Sequence, residues 1–396
     1  MKVSESARLT VFVGLVVFAE SAFYAVVPPL VPGFVREVHM TTVEVGILVA
    51  AYPAGVLLAA VPSMALVDWR GVRTGTVVGI VMLVGSTLAF AWSTTPILLD
   101  GARLIQGMGG AIAWAGALAW LTATSQAHRR ASVIGGTLGA ASIGMVLGPP
   151  IGALASGVGR GLVFTGLAVV LSLLAFATPG GSPASARTRG SMRALAGLLR
   201  NGTASLGLTL LAGIGIVTGS VAALMPLLVS RLQGSAAVIA AILAVSYLVG
   251  SVLQVAMGRL SDRFGRLLPT LCGFAIAAVC LPTLPFWVGV LELSVAGVVA
   301  IAFVSSLWTP TAAMVSDGAD RGPSGQAVGV ATLNAAWAAG AAIGAVLASS
   351  IAQAIGFSVP FALLGGLCAA SAAVLLARHR LAAPPRAVAD QPGSVC

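Results

Sequence analysis

Charge is scarce in this chain. Of 396 residues, 8% are Asp, Glu, Lys or Arg, while 58% are hydrophobic. A soluble domain carries about 25% charged residues because water has to solvate its surface. With so few, a water-facing globule is excluded and lipid becomes the outer solvent. The three histidines (His39, His128 and His379) fall singly in loops or near the end. That scatter, with no Asp-rich loop, argues against a polytopic membrane enzyme. The four cysteines (Cys272, Cys280, Cys368 and Cys396) lie in apolar stretches or at the last position, without metal-ligand spacing. Neither a zinc site nor a disulfide is expected from them. A large soluble stretch, of the kind a membrane receptor or scaffold would carry, is missing as well.

What is abundant is glycine, with 49 residues, and apolar runs. Small residues let membrane helices approach closely. Apolar segments long enough to cross roughly 30 Å of hydrocarbon fall near 11–33, 42–66, 74–93, 97–120, 132–155 and 161–178. A second set falls near 204–229, 236–257, 267–286, 293–315, 326–350 and 357–377. The fold class is therefore all-α integral membrane, with twelve transmembrane helices in two pseudo-symmetric six-helix bundles. Residues 1–180 form the first bundle and 203–378 the second. A Gly-, Pro-, Ser- and Arg-rich linker joins them over 181–202, and 379–396 form a tail. Lys2 and Arg8 before the first apolar run resemble a secretory signal, but Glu20 follows where a small-residue cleavage site is needed. The first helix is expected to be retained.

The formal charge of +10 does not indicate nucleic acid, because its distribution is lopsided. Seventeen of the 21 basic residues fall in the termini and alternate loops, against Arg36, Arg160 and Arg231 in the opposite loops. This asymmetry places both termini and the linker in the cytoplasm of a cell-membrane protein. Arg103 alone lies inside a helix.

The halves repeat. Asp68 and Asp262 stand 194 residues apart, each followed by glycine and arginine (Gly71 and Arg73; Gly265 and Arg266). Gly144 and Gly148 recur 196 residues later as Gly340 and Gly344, and Pro29 recurs 197 later as Pro226. Paired halves around a site at the bilayer midplane are the architecture of alternating access. Glu20 is the one acid placed deep in a helix. A mid-membrane carboxylate is costly when charged and marks a functional site by default, so Glu20 is a candidate for exchanging protons. Arg103 is costly on the same grounds, and Asp100, three residues earlier on the same helix, is positioned to neutralise it. Tyr24 lies one turn from Glu20, and Trp114 lies on nearly the same face as Arg103. With Trp308 and Trp337 they are candidate pocket aromatics, suited to a flat organic cation.

The motifs resemble the major facilitator superfamily, and more narrowly its drug–proton antiporter branch. The most specific is Gly258-Arg259-Leu260-Ser261-Asp262-Arg263-Phe264-Gly265-Arg266, which is similar to the family's loop signature. The copy holding Asp68, Gly71 and Arg73 is degraded, with Met64, Trp69 and Val72 at signature positions. The resemblance implies that Asp68 and Asp262 latch one conformational state by facing a helix N-terminus. Arg103-Leu104-Ile105-Gln106-Gly107 is similar to the fourth-helix signature, which implies a gating or proton-relay role for Arg103 and Gln106. Gly144-Met145-Val146-Leu147-Gly148-Pro149-Pro150-Ile151-Gly152 is similar to the antiporter signature, implying a hinge at Gly144, Gly148, Pro149 and Gly152 and export over uptake. The Glu20 to Pro32 stretch resembles the first helix of vesicular monoamine transporters and bacterial multidrug antiporters. Asn334 stands where monoamine transporters carry an aspartate, and the position equivalent to Glu20 in the second half, near Val217 or Thr218, is neutral. The implied protein is a monomeric secondary transporter with protons, a small-molecule substrate and the lipid bilayer as partners. It takes no nucleic acid and no cofactor, and the proton gradient is its energy source. Uptake by symport or uniport on the same fold is the alternative.

Overall fold

The computed structural model describes residues 3–125, 130–180, 192–319 and 323–382, and it is entirely helical. Among the described residues, eleven helices are long and apolar enough to cross a membrane, and a twelfth apolar helix, Arg160–Phe176, is shorter. Twelve crossings bring both ends of the described chain to one side, the terminal side. The first crossing is broken: α1 (Val3–Ala25) gives way to a 3-10 turn at Pro28–Leu30 and then α2 (Val31–Glu37). Pro28 and Pro29 supply no backbone N–H, so the last turn of α1 loses donors for its carbonyls. The next crossings are α3 (Thr42–Arg70), α4 (Val72–Trp92), α5 (Pro96–Thr124), α6 (Arg130–Val158) and α7 (Arg160–Phe176).

The stretch assigned to the linker by its composition holds a helix, α8 (Met192–Arg200). It packs on α9 and α14, with Leu198 buried among the residues of the second half. Residues 181–191 of that linker and the tail beyond 382 lie outside the described residues. The second half continues with α9 (Gly202–Arg231), α10 (Ala236–Phe264), α11 (Leu267–Thr283), α12 (Val290–Ser306), α13 (Trp308–Gly318), α14 (Pro323–Ile355) and α15 (Ser358–Ala382). The tenth crossing is thus split at Leu307 into α12 and α13, and the last helix runs past residue 378.

Caps explain several helix starts. Thr41 and Glu44 form a reciprocal capping box on α3, Ser235 accepts from Val238 N on α10, and Asn201 accepts from Thr203 N and Ala204 N on α9. Each satisfies amides that the first turn leaves without partners. The two related motifs also end their helices alike. Asp68 and Asp262 sit on the final turns of α3 and α10, not in loops, and Gly71 and Gly265 follow with φ of 86° and 81°. Only glycine adopts such a φ without strain.

The glycine stripes hold each half together in the same way. A Cβ at Gly144, Gly148 or Gly152 would strike the carbonyls of Phe18, Ala22 and Val26, so α6 lies backbone to backbone against α1. Gly340 and Gly344 press on the carbonyls of Ala212 and Ile216, setting α14 against α9. This is the small-residue packing of membrane helices, and it repeats across the halves. Helix α6 runs through Pro149 and Pro150 without interruption.

The halves meet through α3 with α14 and α6 with α10. On the side opposite the termini, Val43 N donates to Gln353 Oε1 at 3.0 Å and Gly46 abuts Ser349 and Ala345. Deeper in, Val49 and Ala50 of α3 pack on Ala223 and Ala345. Within the first half, on the side opposite the termini, Arg160 closes the end of α4, donating to the carbonyls of Ala91 and Ser93 while its guanidinium lies over the Phe34 and Phe90 rings.

Candidate functional site

A polar cluster crosses the interior of the first half near mid-depth. Glu20 lies one turn before the break at the end of α1. Its Oε1 accepts from the Tyr52 hydroxyl of α3 at 2.8 Å, and its Oε2 lies 3.3 Å from Ser21 Oγ. Tyr52 is 1% exposed. Space for this contact is left by Gly110 of α5, where a Cβ would meet Tyr52 Oη at 2.8 Å and Glu20 Cγ at 2.9 Å.

Arg103 is 2% exposed and Gln106 is fully buried. Arg103 Nη1 donates to the Phe23 carbonyl at 2.8 Å and to Gln106 Oε1 at 2.5 Å. Gln106 Nε2 in turn donates to Thr87 Oγ1 of α4 at 3.0 Å. The Phe23 carbonyl belongs to the last turn of α1, where the helix carries partial negative charge. A cation there completes the end that Pro28 prevents from continuing. The guanidinium carbon also lies 4.5 Å from the centre of the Tyr52 ring.

The expected Asp100–Arg103 neutralisation does not form. Asp100 Oδ1 is buried without a hydrogen-bond partner, and Arg103 makes no ion pair among the described residues. The guanidinium turns to the helix end and Gln106 instead, where three helices supply acceptors and a ring face.

Aromatic side chains lead from this cluster into the second half. Tyr24 stacks at 5.7 Å on Tyr52 and at 5.2 Å on Trp337 of α14, and Trp337 meets Trp308 at 6.2 Å. Trp337 Nε1 donates to Thr218 Oγ1 of α9 at 3.3 Å, and the Tyr24 hydroxyl lies close to Thr218. Tyr247 of α10 lies within electrostatic reach of Tyr24. All three tyrosines of the chain therefore fall in one neighbourhood around Tyr24. Sequence reading places Glu20, Tyr24, Arg103, Gln106, Trp308 and Trp337 in the site, and the structure brings them together. It adds Tyr52, Thr87, Gly110, Thr218 and Tyr247, which sequence reading misses. Trp114, one turn beyond Gly110 on α5, packs against the core of the first half, and its Nε1 is buried without a hydrogen-bond partner. Asn334 is half-buried on α14, one turn before Trp337.

The signature residues lie away from this cluster, on the terminal side. Asp262 Oδ1 accepts from Arg266 Nη1 at 2.7 Å, and Arg266 Nε donates to Asp317 Oδ2 of α13 at 3.1 Å. Asp262 is thus tied through Arg266 to Asp317 of α13 within one half, with Gly265 folding Arg266 back between the two carboxylates. Gly258 brings α10 close to Thr309, and the Arg263 guanidinium lies over Phe264. In the first half, Arg73 Nε donates to the Pro179 carbonyl at 3.2 Å.

Two bundles of six crossings meeting around a central polar and aromatic cluster define a secondary transporter. The profile of the Major Facilitator Superfamily matches residues 13–232 and again residues 206–394, and this chain belongs to that superfamily. The superfamily is one of transporters, not of enzymes. Among curated proteins it is similar to Multidrug resistance protein 1 of Bacillus subtilis, 26% identical over 168 residues, covering 41% of this chain and 43% of that protein. It is also similar to the quinolone resistance protein NorA of Staphylococcus aureus, 26% identical over 148 residues, covering 37% and 38%. The chain thus spans less than half the length of the curated relatives it matches. Among solved structures, a bacterial homologue of the human lysosomal transporter Spinster, inward-facing and occupied, superposes with a TM-score of 0.74 at 16% identity, over 94% of this chain and 97% of the other. The nucleoside transporter NupG superposes at 0.73 with 12% identity, over 93% and 99%. Both likenesses concern the fold.

Proposed function

We propose that the protein exports a small, fairly apolar organic cation in exchange for protons, within the drug–proton antiporter branch of its superfamily. The observation that carries this reading is Glu20. It is a carboxyl near mid-depth, held by Tyr52 and leading through Tyr24 to aromatic side chains of the other half. A desolvated carboxyl resists standing charged and alone, so it binds either a proton or a cation, and each displaces the other. Flat aromatic faces beside it suit a delocalised cation. The similarity to multidrug and quinolone resistance proteins supports export.

In this reading Arg103 and Gln106 act as the relay between α1 and α5, and Tyr24, Trp337, Trp308 and Asn334 line the substrate path. Gly144, Gly148, Pro149 and Gly152 are the pivot along which α6 moves on α1. Both termini lie in the cytoplasm. Asp68 and Asp262, with Gly71, Arg73, Gly258, Arg263, Gly265 and Arg266, hold one state of the cycle. The Asp262–Arg266 pair is solvent-exposed, and such pairs contribute about 0–1 kcal/mol. Asp262→Asn is therefore expected to leave folding and substrate affinity intact while slowing transport. Affinity lost in step with transport would contradict the latch.

The function is tested by expressing the chain in a host stripped of its own exporters and challenging growth with lipophilic cations, neutral toxins and acidic toxins. Protection against the cations, cancelled by a protonophore, is the expected result. Protection unaffected by collapse of the proton gradient, or sensitisation to the compounds, would favour uniport or uptake.

A further inference from the structure

We propose that Tyr52 is the positioning residue that keeps Glu20 free for exchange by holding the carboxyl at its hydroxyl and the Arg103 charge on its ring face. This inference rests on the antiport reading above. Arg103 is a buried cation without a carboxylate partner, and its Nε lacks an acceptor. Such a charge attracts any nearby carboxylate strongly, because the interior screens poorly. Glu20, across the Tyr52 ring, and Asp100, one turn earlier on α5, are the acids around it, yet Arg103 pairs with neither among the described residues. Tyr52 touches both Glu20 and Arg103: its hydroxyl is 2.8 Å from Glu20 Oε1, and its ring centre is 4.5 Å from the guanidinium carbon.

The consequence is specific. A direct Glu20–Arg103 pair would hold the acid charged and occupied, leaving neither a proton nor a substrate cation able to compete. The Tyr52 ring instead takes up the guanidinium charge by a cation–π contact, and its hydroxyl holds the carboxylate with one charge-assisted hydrogen bond. That bond is weak enough for a cation to bind beside it. Gly110 reserves the space in which the hydroxyl and the acid meet. The other groups facing this site are few. Ser21 and Tyr24 lie on α1 itself, Thr218 of α9 and Trp337 of α14 reach Tyr24, and Tyr247 of α10 lies within its field. Helix α6, packed along α1, has no titratable side chain over residues 135–158.

Two substitutions at Tyr52 then act in opposite directions. Tyr52→Phe keeps the ring over Arg103 and removes the hydroxyl, so the carboxylate loses support and the proton is held more tightly. Tyr52→Leu removes the ring, so Arg103 is free to swing onto Glu20. The probe is tetraphenylphosphonium, with its binding to the full-length protein in lipid nanodiscs measured as a function of pH. In the wild type, binding rises with pH as the cation replaces the proton. For Tyr52→Phe the midpoint is expected to move about one pH unit upward, the scale of one hydrogen bond to a charged group. For Tyr52→Leu the midpoint is expected to move downward, with affinity falling about tenfold as Arg103 competes with the probe.

Shifts of both variants in the same direction, or a Tyr52→Phe midpoint equal to the wild type, would overturn the inference. Should Tyr52→Leu fail to fold, Tyr52→Phe decides alone. Glu20→Gln separates the two levels of the argument. If it abolishes the pH dependence while Tyr52→Phe matches the wild type, the role of Tyr52 fails and antiport stands. If it binds the probe with the wild-type pH profile, both fail.

Discussion

Replacing Glu20 with glutamine is expected to abolish proton-driven export of cationic compounds while leaving the amount of folded protein unchanged. Glutamine keeps the shape and can still accept from Tyr52, whose hydroxyl lies 2.8 Å from Glu20 Oε1. It neither carries a negative charge nor exchanges a proton. Losing one member of a buried charge pair costs about 2–5 kcal/mol, a factor of about 30 or more in affinity for a cation. Neutral substrates do not draw on that charge, so any neutral compound the protein exports is expected to be affected less. Glu20→Asp is expected to retain part of the activity with a shifted pH dependence, since the shorter side chain draws the carboxyl away from Tyr52. Export of a cation against its gradient by Glu20→Gln at the wild-type rate would remove Glu20 from the coupling.

The second large effect is expected at Arg103. Lysine would keep the charge, but it is a point donor where the guanidinium serves the Phe23 carbonyl, Gln106 Oε1 and the Tyr52 face together. The planar fork is what allows this division. Hydrogen bonds to charged groups contribute about 1.5–3 kcal/mol each, so the loss of one lowers export about tenfold or more. Gln106 would then lose its donor, and the link through Thr87 to α4 would loosen. Transport and thermal unfolding measured together on Arg103→Lys check this, and wild-type values for both would show that the guanidinium geometry is immaterial.

The repeat, the crossings and the acid at mid-depth were legible before the structure, because each leaves a pattern along one helix. Apolar length reports a crossing, a recurring Asp-x-x-Gly-x-Arg or Asp-x-x-Gly-Arg turn reports a related half, and a lone carboxyl in an apolar run reports its own cost. What binds one helix to another leaves no such pattern. Tyr52 sits in an apolar run beside Pro53, 32 residues from the acid it holds. Its only flags were that tyrosine is rare in this chain and that it falls within a span. Thr218 carried a faint signal, since it lies near the position equivalent to Glu20. Asp100 misled for the opposite reason. Helical spacing put it beside Arg103, yet the end of α1 offered the guanidinium a better partner, and spacing on one helix cannot register another. The amphipathic α8 was hidden by its setting among linker residues, although Leu198 is buried in the second half.

The account stands or falls on whether proton and cation exchange on one protein. The direct measurement uses purified protein reconstituted into liposomes with an acidic lumen, with internal pH and the uptake of tetraphenylphosphonium followed together while the membrane potential is clamped. Addition of the cation should drive protons out of the lumen as it accumulates inside, in the wild type and not in Glu20→Gln. Cation accumulation without proton movement, or proton movement that Glu20→Gln retains in full, would contradict it.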